Sequence, residues 1–254
     1  MLNNILIVVV CVGAAIAFLF LVTRTSNAPA RKESNDFTGA VVAVIGTTYA
    51  VLLAFMLGGV WNMFQQAQAN EEQEANAVVN IYRIAGQLKD SNGPQIQEVC
   101  RAYAQNVIDQ EFPLLERQAK MSAEGSALID QLWRLAGQGQ SQQGDDSIAV
   151  YQLIEELRSL TEHRRIRAMQ GRESLPGILW AVLVAGGVIT VAASCFFGVP
   201  NFRFHLLQVF VLSFLISLVL VAIADIDRPY QGPVKVEPEG FRYAIRTLHN
   251  QPSP

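Results

Sequence analysis

Charge is what this sequence withholds, and it withholds it in blocks. No Asp, Glu, Lys or Arg occurs from Ile5 to Val22, from Gly39 to Trp61, from Leu175 to Phe202 or from Phe204 to Ala224. Each stretch approaches or exceeds the roughly 20 residues that a helix rising about 1.5 Å per residue needs to cross about 30 Å of hydrocarbon. A soluble chain could bury one such run as a core helix. Four of them in 254 residues leave too little amphipathic surface to cover them all.

Reactive residue types are as scarce. His163, His205 and His249 stand alone, with no HExxH and no His/Cys pair at ligand spacing, so no metal site is expected. Cys11, Cys100 and Cys195 form no CxxC and no disulfide framework, and two of them lie inside apolar runs, where they act as small apolar residues. Gly137, Gly139 and Gly144 are interleaved with Gln rather than set in a phosphate-cradling loop, and no Ser, Thr or Cys has a candidate base beside it. Neither an enzyme nor a cofactor is expected. The spans also lack the internal ionisable residues of a proton-coupled transporter, the nearest being His205 and Asp225 at span ends.

What is present reads as an all-α membrane protein: four transmembrane helices in two pairs flanking a cytoplasmic helical domain. The first pair occupies 1–61, with spans at about 5–22 and 39–61. A soluble helical domain follows at 62–174, the second pair at 175–224 with spans at about 176–198 and 204–224, and a tail at 225–254. The uncharged leader and the poor cleavage site at Thr23-Arg24-Thr25 make the first run a retained helix rather than a signal peptide. Eight Lys and Arg near span ends on the side of the central domain, against four in the two short connections, place that domain in the cytoplasm. The membrane is then the inner, cytoplasmic one.

Inside the central domain the second span runs on without Gly or Pro until Gly86, as one helix half in lipid and half in water. Ser91-Asn92-Gly93-Pro94 marks a turn, with Pro94 suited to a first helical turn. Apolar stripes are expected at Val99, Tyr103, Val107 and Ile108, at Leu128, Leu132 and Leu135, and at Ile148, Tyr151, Ile154, Leu157 and Leu160. Between the last two, residues 137–144 form a polar linker, and Asp145-Asp146-Ser147 offers N-caps. With 11 basic and 16 acidic residues at 62–174, the domain is no nucleic-acid binder. Its basic cluster Arg164, Arg165 and Arg167 is expected at lipid headgroups, with ion pairs to Glu155, Glu156 and Glu162 as the other use. Glu71, Glu72 and Glu74 read as a solvated acidic face.

Just past the fourth run comes Asp225-Ile226-Asp227-Arg228-Pro229-Tyr230-Gln231-Gly232. Together with Glu74-Ala75, Arg83 and the basic helix leading into Leu175-Pro176-Gly177-Ile178-Leu179-Trp180, it resembles a bacterial membrane family described as bestrophin-like. Physically the motif makes a membrane-exit clasp: Asp225 or Asp227 neutralises Arg228, Pro229 ends the helix and Gly232 permits the turn. More remotely the arrangement is similar to the bestrophins, pentameric anion channels whose second helix lines the pore. That likeness implies a homo-oligomer in the lipid bilayer with anions as the permeating species. On the second span Thr48, Val51, Phe55, Gly58 and Asn62 share one stripe and are the pore-lining candidates, while Leu53 is read as facing lipid. Asn62, Gln65, Gln66, Gln68 and Asn70 form a neutral polar belt that could pair between subunits. A non-conducting scaffold or sensor acting through its cytoplasmic helices is the other function class left open.

Overall fold

A computed structural model of the chain describes residues 2–26, 28–88, 92–139 and 147–250. Those residues are helical in ten α-helices and one π-turn, with no strand among them. Ser91, residues 140–144 of the linker and the cap candidates Asp145 and Asp146 lie outside the described residues, as does the side chain of Ser147. Two compact units emerge: residues 1–62 with 174–227, and residues 63–173 with 228–254.

The first unit holds α1 (Leu2–Thr25), the short α2 (Ala28–Glu33), the apolar half of α3 (Asn35–Ala85), α8 (Gly177–Cys195) and α9 (Phe202–Ile226). Its four long helices are each apolar and long enough to span a bilayer. Where they meet, Leu19, Cys195 and Val209 are buried between α1, α8 and α9. Tyr49, Leu53, Val60, Leu183, Ile216 and Ile223 are buried between α3, α8 and α9. Tyr49 lies across Gly186 and Gly187, too close for a side chain at Gly186, and its hydroxyl donates to the Leu183 carbonyl at 2.8 Å. The small residues of the third span thus serve close helix approach. Outward faces carry Val9, Val184, Val188, Phe204 and Leu207, all exposed apolar side chains suited to lipid. Asn201 caps α9, its side chain accepting from the Arg203 and Phe204 amides.

The second unit is a helical bundle. The water-side half of α3 packs with α4 (Asn92–Asn106), α5 (Phe112–Gln118), α6 (Ala123–Gly139), α7 (Ser147–Gln170) and α10 (Glu239–Asn250) around one apolar core. The stripes read at Val99, Tyr103 and Val107 and at Leu132 and Leu135 do face it. The α7 stripe needs correction: Ile148 and Tyr151 are exposed, and Val150, Leu153, Leu157 and Leu160 make the buried face. A series spaced strictly by three drifts by about 60° per step round a helix of 3.6 residues per turn, so its first members leave the core. Alternating steps of three and four keep to one side. Helix α10 has no counterpart in the sequence reading, although Phe241, Ala244 and Leu248 show the same alternation and are buried.

Candidate functional site

Three sets of residues carry the functional question. On α3, Thr48, Val51, Phe55, Gly58 and Asn62 are all exposed, Phe55 by 72%, and lie opposite the buried Tyr49, Leu53 and Val60. Leu53, at 9% exposure, packs inside the unit and does not face lipid. On the water-side half of the helix Gln65, Ala69, Glu72 and Asn76 are likewise exposed. Of the polar belt, Asn62, Gln65, Gln66 and Gln68 are exposed, but Asn70 is buried. Asn70 donates to the His163 carbonyl at 2.9 Å and its Oδ1 meets His163 Nδ1 at 2.8 Å, which removes it from any belt between subunits.

The second set lies in the core of the bundle. Glu74 and Arg167 face each other as a two-pronged pair, Arg167 Nε to Glu74 Oε2 at 2.7 Å and Nη2 to Oε1 at 2.8 Å. The same Nη2 reaches Glu111 Oε2 at 2.5 Å, and Arg164 Nη2 takes Glu111 Oε1 at 2.6 Å. Two carboxylates and two guanidiniums therefore sum to zero charge, the condition under which ions survive burial. Tyr103 donates to Glu74 Oε1 at 2.6 Å, and the Phe112 ring lies under the Arg167 guanidinium at 5.5 Å.

Local backbone chemistry delivers Glu111 to this spot. Pro113 has no N–H and its ring would clash with the carbonyl four residues back, so a regular α-helix cannot pass through it unchanged. The chain answers with a π-turn at Val107–Glu111, closed by the Phe112 amide to the Val107 carbonyl. Ser122, whose Oγ accepts from the Gly125 amide at the start of α6, sits 2.8 Å from Asn106 Oδ1 and 3.2 Å from Glu111 Oε1.

Electrostatics follow from the packing. Burial alone would raise the Glu111 carboxyl, but Arg167 and Arg164 outweigh it and hold the group below the usual carboxylate range. Burial would likewise lower Arg167; Glu74 and Glu111 reverse that and keep it charged. The Tyr103 phenol is pushed far up, by burial first and then by Glu74.

Arg167 is thus no headgroup ligand: it is 0% exposed and spent on Glu74 and Glu111. Arg164 is mostly buried on Glu111, and only Arg165 of the cluster is open to solvent. Nor are the partners Glu155, Glu156 and Glu162; Glu155 pairs with Arg158 instead. The acidic face is corrected too, since Glu71 and Glu74 are buried and Glu72 alone is exposed. Among the described residues no cluster of His, Cys, Asp and Glu is placed to hold a metal.

The exit motif forms the third set, and its charges are used differently from the expected clasp. Asp225 accepts both contacts of Asn4 Nδ2, at 2.9 and 2.7 Å, tying α9 to α1. Asp227 accepts from the Leu175 amide at 2.6 Å and from Trp180 Nε1 at 3.4 Å, organising the entry to α8. Arg228, in the second unit, is exposed and donates to Gln231 at 3.2 Å, so neither aspartate neutralises it. Helix α9 ends before Pro229, and Gly232 adopts φ 90°, a left-handed turn that a side chain would strain. Beyond the turn Tyr230 packs its ring against Phe112 and donates to the Ala67 carbonyl at 3.2 Å.

Four membrane-length helices and a helical domain with a charged core define a multi-pass all-α membrane protein. The family described as Bestrophin-like domain matches residues 9–241, and the chain belongs to it. Solved structures agree in fold. A bacterial bestrophin homologue from Klebsiella pneumoniae is similar at TM-score 0.70 and 11% identity, covering 94% of this chain and 96% of that one. A variant of the Klebsiella pneumoniae homologue gives TM-score 0.72 at 10% identity, covering 96% and 99%. A structure titled only as a membrane protein variant gives 0.73 at 10%, covering 95% and 97%. None of the curated proteins matches the chain.

Proposed function

We propose that copies of this chain assemble in the cytoplasmic membrane as a closed ring around an axis lined by α3, forming an ion channel. Anions are the ions that the likeness to bestrophins favours. The supporting observation is the exposed face of α3. It carries a hydroxyl at Thr48, small or apolar groups at Val51 and Gly58, a ring at Phe55 and an amide at Asn62, and it stays exposed into the water-side half. A face meeting only lipid has no use for that gradation, whereas a pore does. In a closed assembly each protomer presents the same residues to the axis, so Phe55 makes a ring that excludes water when narrow. The Lys and Arg count at the span ends puts the helical domain in the cytoplasm.

The test is an anion-flux assay in liposomes with a mass measurement in mild detergent. Phe55→Ala is expected to conduct severalfold more than the parent with the oligomer mass unchanged, while Val188→Ala on the exposed face of α8 behaves as the parent. A monomer at every concentration, or no flux from parent and Phe55→Ala alike, would leave a non-conducting scaffold or sensor as the function. Equal flux above background would show instead that Phe55 packs and does not gate.

A further inference from the structure

Helix α10 is held at its start by a residue from elsewhere. The first N–H groups of any helix lack partners within it. Here the Gly240 and Phe241 amides donate to the Glu71 carboxylate of α3 at 3.2 and 3.1 Å. The fit depends on glycine: a Cβ at Gly240 would fall 2.9 Å from Glu71 Oε2 and 3.1 Å from the Ala75 Cβ. Beyond this anchor α10 buries Phe241, Ala244 and Leu248, with the Phe241 ring against Tyr103, and exposes Arg242, Tyr243 and Arg246.

Glu71 differs from its buried neighbours in lacking a cation. It is 1% exposed, and no Lys, Arg or His among the described residues bonds to it. From its own helix the charges of Glu74 and, less, of the exposed Glu72 oppose ionisation of Glu71. Glu74 itself is matched by Arg167. From the exit segment the neutral Tyr230 phenol is within its field. On α10, Glu239 is exposed and paired with Arg242, and on α4 Arg101 is committed to the Tyr82 hydroxyl and the Leu248 carbonyl. Two amides and the positive end of the helix favour the ionised form, but desolvation opposes it more strongly.

The geometry points to a reversible latch in which protonation of Glu71 fastens α10 to the bundle and ionisation loosens it. The latch is independent of whether the assembly conducts. Burial pushes the docked carboxyl up to about 7, against 4.5 for the free group, with the two amide bonds pulling back only in part. The docked form thus holds the proton more tightly than the released form. Docking is strongest in acid below the free value, weakens as pH rises, and levels off above the docked value. The docking constant should therefore fall at least severalfold between about pH 5.5 and about pH 8, as pH rises through the raised value of the docked carboxyl.

Hydrogen–deuterium exchange on the full chain in detergent reads this directly, as the opening constant of the amides of residues 241–248 after correction for the intrinsic pH dependence. The wild-type opening constant is expected to rise at least severalfold across the range. Glu71→Gln, which keeps an acceptor and loses the charge, should stay closed and flat, and Glu72→Gln at the exposed neighbour should keep the wild-type slope. A flat wild-type profile overturns the latch, as does a Glu71→Gln protein that retains the slope; the wild-type profile alone decides if that variant does not fold.

Discussion

The two units bury their polar groups in different ways, although both also bond between helices, as Tyr49 does to the Leu183 carbonyl in the membrane unit. In the membrane unit, Thr190 donates to the Gly186 carbonyl, Ser194 to Val191 and Ser213 to Phe210, each within its own helix. In the helical domain, Glu74 and Glu111 bond to Arg167 across 93 and 56 residues of chain. The difference reflects solvent. For a short hydroxyl on a helix entering lipid, the carbonyl one turn back is a partner already at hand, where hydrocarbon supplies none. A domain that folds in water can leave its polar groups hydrated until its helices meet, and the encounter then fixes a unique arrangement at the cost of desolvation.

Breaking the charged core should produce the largest effect. Arg167→Met leaves Glu74 and Glu111 buried without their shared cation and should destabilise the helical domain by about 3–5 kcal/mol. Thermal unfolding in detergent measures it, and an unchanged midpoint would show that the charges are solvated in the protein. A cut in the membrane unit should cost less. Asp227→Ala removes the acceptor for the Leu175 amide and should cost about 1–2 kcal/mol, as loss of a helix cap does, with weaker proteolytic protection around Trp180 as the readout. Smallest is Arg165→Ala, which should shift stability by less than about 0.5 kcal/mol, since the side chain is exposed. Its effect belongs instead to membrane electrostatics: reduced protection of α7 by anionic over neutral lipid would sharpen the contrast with Arg167, and no lipid dependence would remove the headgroup role from the cluster altogether.

How far the sequence could be read tracks that same contrast. The four spans were legible because the absence of charge is a local property, visible without knowing what packs on what. Arg164, Arg165 and Arg167 are nearly indistinguishable in sequence, yet one is fully buried, one mostly buried and one exposed. The information that separates them sits at Glu111, delivered by a π-turn that periodicity does not show, though Pro113 marks it. Glu71 and Glu74 misled for a related reason: acidic residues clustered on a helix ordinarily face water, and only Arg167 and the start of α10 draw these two inward. The exit motif was recognisable as a whole while its internal pairings were not, because Asp225 and Asp227 reach Asn4 and Leu175 rather than the adjacent Arg228. Helix α10 carries a visible period at Phe241, Ala244 and Leu248 inside a stretch that reads as a tail.

The π-turn at Val107–Glu111 also has a bearing on comparison between sequences. A π-turn accommodates one residue more than the α-helix around it. A relative that lacks the extra residue would run α4 straight into α5 as a continuous α-helix, with the residues on either side in matching places. When such a relative is laid beside this chain, the correct match is a gap of a single position inside a helix, where gaps are normally disallowed. Without that gap, every residue on one side of the turn is matched to the wrong neighbour, and Glu111, one of the two acidic partners of Arg167, is lost from the match.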